Sequence, residues 1–262
     1  MVLTNIVLTI FGCRNVKQNM EKDAKYYDEL SQPQYESGCK FINDLNISAG
    51  YKVLDMGCGT GDLTKYIADI VGTDGQVVGI DPDDERIKIA KEKFKQVCNL
   101  QFHVGSTVTG FPHDGEPYYD VHITMHAFHW FPPHQKKLYI QKAYQSLKPG
   151  GKLTILCADK VGPERNDQLA IIDLHPFSAE EHQKLFQEEG SFTNVDVKQA
   201  VYKGFFKSED MFKRWAKAST HHDMDELDPV FVKDVMGDLV TFHDDGCVTI
   251  KMPSICVVAV KQ

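Results

Sequence analysis

The sequence predicts an α/β chain with a mostly parallel, seven-stranded sheet and helices on both faces. Amino-terminal helices precede the sheet, and a helical lid is inserted late. Three observations predict this. The stretch VLDMGCGTG, Val53 to Gly61, runs a strand-like segment into a turn holding Gly57, Gly59 and Gly61. A helical stripe of Leu63, Ile67, Ile70 and Val71 follows. A second strand-like run, QVVGID, then ends in Asp81. Strand, glycine turn, helix, strand and acid outline a nucleotide-binding βαβ unit, Rossmann-like in plan. Glycine admits positive φ and lets a ligand approach bare main chain. Asp81, at the carboxyl end of its strand, can accept two hydrogen bonds from a ribose diol.

The loop reads G-x-G-x-G, and Asp62 stands where a dinucleotide-binding loop carries its third glycine. A carboxylate there would repel a pyrophosphate, so the loop suits a cofactor without phosphates. The plainer alternative is an ordinary tight turn. The stretch resembles motif I of the class I S-adenosylmethionine-dependent methyltransferases, usually Asp-x-Gly-x-Gly-x-Gly. The resemblance implies methyl transfer with S-adenosyl-L-methionine as cofactor. It implies a cofactor site of Asp55, Gly57, Cys58, Gly59, Gly61, Asp81 and Pro82, with Asp81 on the ribose and Asp55 orienting the loop or the amino acid end.

Composition fits this outline. The chain has 262 residues, 42% hydrophobic and 25% charged, as expected of one globular domain with an insertion. Its net charge of -8 argues against a nucleic acid partner. Seven dispersed cysteines without a C-x-x-C pair fit reduced thiols and a cytoplasmic location. The apolar opening MVLTNIVLTIFG is too short to span a bilayer and lacks a basic segment before it. Its Val, Thr and Ile suit an extended tail, and no membrane span is expected.

The elements follow in order. Residues 20 to 45 read as two helices, the second beginning after Pro33. Strand one is Lys52 to Met56, and a helix covers Leu63 to Val71. Strand two is Gln76 to Asp81. DPDDERIKIAKEKF starts a helix with Pro82 near its first turn and acids at its positive end. Strand three is LQFHV, followed by Gly105, Ser106 and Thr107. Strand four is centred on Tyr119 to Met125, with His126, His129 and Trp130 just past its carboxyl end. Ligands of open α/β sheets lie at that end. A helical stripe through Leu138, Ile140, Ala143, Tyr144 and Leu147 is stopped by Lys148-Pro149-Gly150-Gly151, and strand five is KLTILCA. Ser178 and Glu181 form a capping box for a later helix. FTNVDVKQAVYKGFF and the closing CVTIKMPSICVVAVKQ supply two antiparallel strands. Between them Ser208 caps EDMFKRWAKAS, and DPVFVKDVMGDLVTF looks helical. The expected divisions are 1–48 (tail and helical cover), 49–206 (core), 207–246 (lid) and 247–262 (closing strand).

The LKPGG stop before strand five is a second likeness to the methyltransferase class, and the two matches span residues 50 to 158. By the same resemblance, Ser106 and Thr107 fall where the adenine amino group is met. Histidines crowd strand four: His122, His126, His129 and His134. His126 or His129 could serve as a general base, or they line a pocket and satisfy backbone groups. Their spacing makes no metal ligand set.

A third likeness narrows the substrate. Gln-x-x-Ser-Gly in QYESG and His-Trp in FHWF resemble the small-molecule carboxylate methyltransferases, notably juvenile hormone acid and trans-aconitate methyltransferases. The resemblance implies Gln34 and Trp130 as holders of a substrate carboxylate, with Gln32 as the rival glutamine. Trp130 could instead pack in the core or lid. The lid aromatics Phe212 and Trp215 favour an apolar acid, and Arg165 and Arg214 are the arginines placed to reach a substrate. A carboxylate needs orientation and a dry site rather than a base. The expected activity is O-methylation of an apolar carboxylic acid. N-methylation of a small amine, drawn by the acidic HHDMDELD, and a non-catalytic cofactor-binding regulator are the alternatives.

Overall fold

The computed structural model describes residues 20–160, 173–189, 192–220, 222, 225, 237 and 239–262. The apolar tail, Arg165, most of HHDMDELD and most of the helix expected over 228–242 lie outside them.

Parallel strands covered on both faces read as near-continuous apolar runs. Parallel strands form at the four expected places: β1 (Lys52–Met56), β2 (Gln76–Asp81), β3 (Leu100–Val104) and β4 (Tyr119–Met125), of which β3, at the sheet edge, alternates buried and exposed residues instead. The fifth, β5 (Leu147–Ala158), joins them in parallel with β4. Two long antiparallel strands, β6 (Phe192–Phe206) and β8 (Val248–Lys261), complete the sheet in the order β3-β2-β1-β4-β5-β8-β6. A short β7 (Val240–Phe242) pairs with β8, so the sheet has eight strands.

The described helices are α1 (20–30), α2 (Gln32–Asp44), α3 (Asp62–Val71), α4 (Asp84–Lys93), α5 (Pro133–Ser146), α6 (Ala179–Glu189) and α7 (Glu209–Thr220). Alternation along β1 divides the core. Val53 faces a cluster with Ile42, Ile67 and Ile87, from α2, α3 and α4. Leu54 and Met56 face Tyr139, Ile140 and Phe186, from α5 and α6. The sheet is thus sandwiched between two helical layers. A third cluster joins β6, β7 and β8 to Phe212 of α7.

Three expectations are corrected. The segment LKPGG is part of β5, because Leu147 pairs with Tyr119 before the register shifts. The helix ends at Ser146, Leu147 is already extended, and Pro149 has no N–H with which to continue helical pairing. Residues Val240 to Phe242, read as the end of a helix, form β7, since β8 offers a backbone partner that sequence periodicity cannot reveal. Pro82 lies before α4, whose cap is Asp83, with Oδ1 accepting the N–H groups of Glu85 and Arg86.

The capping box forms as read. Ser178 Oγ accepts the Glu181 N–H at 3.1 Å, and Glu181 Oε2 accepts the Ser178 N–H at 2.8 Å. Ser178→Ala should lower stability by about 1 kcal/mol. Thermal unfolding should show that loss as a fall of roughly 2–4 °C in Tm.

Candidate active site

The site lies at the carboxyl ends of β1, β2 and β4, under α1 and α2. The chain leaving β1 turns back on β2, where the Gly57 and Cys58 N–H groups both donate to the Ile80 carbonyl, at 2.7 and 3.0 Å. Asp81 completes the hook. Its Oδ2 accepts the Gly59 N–H at 2.9 Å and its Oδ1 accepts the Asp83 N–H at 2.9 Å. Two glycines are required by this path. Gly57 has φ +82°, and a Cβ there would lie 2.2 Å from that of Ala127. Gly59 has φ +56°, and its Cβ would lie 2.9 Å from Tyr27 Cε1.

Burial sets the electrostatics. Asp55 is 1% exposed, and desolvation pushes its carboxyl up to about 7. The Thr64 hydroxyl, donating to Oδ2 at 2.7 Å, opposes that rise, and the Asp81 charge adds to it. Desolvation also raises Asp81, opposed by the Arg86 guanidinium and the N–H groups of Asp83 and Gly59. The Cys58 thiol is pushed well up by burial and by both acids, so it stays protonated.

The walls bring some of the expected residues together. Gln34, Asp55, Gly57, Cys58, Gly61 and His126 line one cavity of about 30 Å³. His126 adopts φ +55°, and its Nε2 lies 2.9 Å from Ser37 Oγ. Burial lowers its pKa to about 4, so the ring is neutral at physiological pH. Gln34 is 7% exposed, whereas Gln32 is exposed and donates to Glu36. The indole on Gln34 is that of Trp215, whose Nε1–H donates to Oε1 at 2.9 Å.

Other expected residues stand apart from this cavity. Trp130 ends a short 3-10 turn, Phe128–Trp130, and its ring lies beside His129. His129 Nδ1 accepts the Ala158 N–H at 3.1 Å, and burial lowers its pKa well below the usual value. Buried Lys136 pins that turn by donating to the carbonyls of Phe128 and Phe131. His122 is a satisfied core residue beside Ser146. Ser106 Oγ accepts the N–H groups of Val108 and Thr109, while buried Thr107 donates to Gln135. Pro82 leads from Asp81 to the α4 cap. Arg214 pairs with Asp210 and lies over the Tyr26 ring. Among the described residues, no group of three His, Cys, Asp or Glu is placed to hold a metal, and no helix is long and apolar enough to cross a membrane.

Comparison with known proteins gives the family. The family described as "Methyltransferase domain" matches residues 53–151. The chain is 32% identical over 212 residues to the ubiquinone/menaquinone biosynthesis C-methyltransferase UbiE of Shewanella woodyi, covering 74% of this chain and 79% of that protein. The chain belongs to the class I S-adenosylmethionine-dependent methyltransferases. It is also 32% identical over 152 residues to the putative methyltransferase 235L of Invertebrate iridescent virus 6, covering 58% of this chain and 51% of that protein. The chain thus spans about half the length of that relative. Phosphoethanolamine N-methyltransferase 2 of Haemonchus contortus, in complex with S-adenosyl-L-methionine, shares the fold with a TM-score of 0.61. It is 14% identical, with 86% of this chain and 52% of that one covered.

The residues of this methyltransferase fit its cofactor. Bare main chain at Gly59 and the buried Asp81 carboxylate suit a nucleoside, and Asp55 suits a positive charge. S-Adenosylmethionine supplies a methyl already activated by its sulfonium. The chain's own task is to bind, orient and keep water out. Sequence reading places Tyr27 on a helix but does not reveal its reach. Its ring lies on Gly59, and burial with the nearby charges of Asp81 and Asp55 raises its pKa.

A carboxyl near 7 makes cofactor binding dependent on pH. A cationic ligand favours ionised Asp55, so binding below about pH 7 releases a proton. Affinity for S-adenosylmethionine should rise with pH up to that point and level off above it. Asp55→Asn should flatten the profile, as calorimetry in buffers of different ionisation enthalpy would show.

Proposed function

We propose that this chain methylates an oxygen of an apolar carboxylic acid. The observation that carries the reading is the Gln34 amide. Its Oε1 is held by the Trp215 N–H, and Nε2 has no hydrogen-bond partner among the described residues. Fixed this way, the buried amide offers the cavity a donor, which suits an acceptor oxygen and not an ammonium. No lysine or arginine is among the residues lining the cavity. A carboxylate bound by neutral donors keeps its nucleophilicity, whereas a tight ion pair would stabilise the ground state. His126, with its pKa near 4, is a weak base, in keeping with a reaction that needs none. We further propose that α7, the described helix of the expected lid 207–246 and the one that carries Trp215, covers the substrate end.

A second reading has one observation behind it. The Shewanella woodyi relative is named a C-methyltransferase of ubiquinone/menaquinone biosynthesis, and a quinol oxygen would also accept from Gln34. The alkali lability of the product separates the readings, since a methyl ester releases its methyl and a C- or N-methyl does not.

The test is methyl transfer from labelled S-adenosylmethionine to a panel of apolar acids, amines and quinols. Acids should yield an alkali-labile product, at a rate that with saturating cofactor is independent of pH above about 6 because the reference carboxylate pKa is near 4. Gln34→Ala should raise KM for the acid about tenfold or more, the worth of a hydrogen bond to a charged group. Affinity for S-adenosylhomocysteine should stay within about twofold. A rate that climbs steadily to pH 9, or an alkali-stable product, would reject the carboxylate.

A further inference from the structure

The cavity between α1, α2 and the glycine loop measures about 30 Å³. That is room for about two waters, whereas sites for nucleoside-sized ligands run to several hundred Å³. Tyr27 lines that cavity and lies on Gly59. A nucleoside reaching the glycine loop meets the Tyr27 ring.

Arg86 holds Tyr27 there. Its guanidinium sits over the Tyr27 ring, 4.2 Å from the centroid. The same group donates from Nη2 to the Ala218 carbonyl of α7 at 2.7 Å. Its Nε lies 3.4 Å from Asp83 Oδ2, yet it is buried and has no hydrogen bond among the described residues. A buried guanidinium with an unsatisfied nitrogen is costly to maintain. Here it touches three elements at once: the cap helix α1, the α4 cap and α7. Three residues before Ala218, α7 carries Trp215, whose indole N–H holds Gln34.

We propose that Arg86 is a positioning residue that couples the cofactor site to the substrate wall. Displacing Tyr27 removes the face on which Arg86 stacks. The guanidinium then reorients, and its hold on Ala218 changes with it. The α7 helix carries that change to Trp215 and so to the Gln34 amide. The substrate wall takes its working arrangement once the cofactor is in place, so the cofactor binds first. By linkage, a ligand at the wall must alter cofactor affinity by the same factor.

The chain has two tryptophans, which makes the coupling readable. In a Trp130→Phe background, Trp215 is the sole source of indole emission. Titration with S-adenosylhomocysteine should change that emission, with a midpoint at the calorimetric Kd. Arg86→Met keeps the apolar stem and removes the guanidinium. It should still bind S-adenosylhomocysteine, while the emission change falls at least threefold. Tyr27→Leu provides a second route. Its emission without ligand should already resemble the ligand-bound form, and its association rate should rise about tenfold as the closed fraction disappears. An arginine with only a structural role would shift stability or Kd and leave the emission change intact. Equal emission changes with and without the guanidinium, or an unaltered association rate in Tyr27→Leu, would overturn the proposal.

Discussion

One buried carboxylate holds the site in register. Asp81 accepts the Gly59 N–H on one oxygen and the Asp83 N–H on the other. The first bond closes the glycine loop onto β2. The second sets the residue that caps α4, and that cap fixes the start of the helix bearing Arg86. Burial works against the charge on Asp81, and Arg86 works for it. Loop, helix and guanidinium therefore depend on a single ionised group. Losing its charge would weaken two charge-assisted bonds to buried N–H groups at once.

The two ends of the site differ in electrostatic character. The loop end gathers Asp55 and Asp81, both raised by burial, and would welcome a cation. The other end presents an amide and a neutral imidazole, with no basic residue in the lining. An acidic pocket that suits a charged cofactor thus lies beside a wall whose lining holds no lysine or arginine. That arrangement follows from burial: His126 is too desolvated to carry a proton at neutral pH.

Much of this architecture is legible in the sequence. A central parallel strand announces itself because both faces are buried, so QVVGID stands out without alternation, whereas the edge strand LQFHV shows itself by alternating apolar and polar residues. The glycine loop and the Ser178–Glu181 box are local and need no distant partner. What stays hidden is made by contacts between segments far apart in the chain. Trp215 and Gln34 are 181 residues apart, so sequence reading offers Trp130 as the neighbour of Gln34, while the fold supplies Trp215. Tyr27 and Arg86 look like ordinary helix residues until the helices pack over the loop. The strand β7 is hidden for a related reason. Three residues have too little periodicity to be told from a helix end, and their state is decided by β8.

The central claim is that the loop hooked by Asp81 is a cofactor site. Calorimetric titration of the intact chain and of Asp81→Asn with S-adenosylmethionine tests it most directly. The account predicts micromolar binding to the intact chain and binding at least about tenfold weaker in the variant, since an isosteric amide lacks the charge that a ribose diol favours. Equal affinity in the two proteins, or no binding to the intact chain, would contradict it.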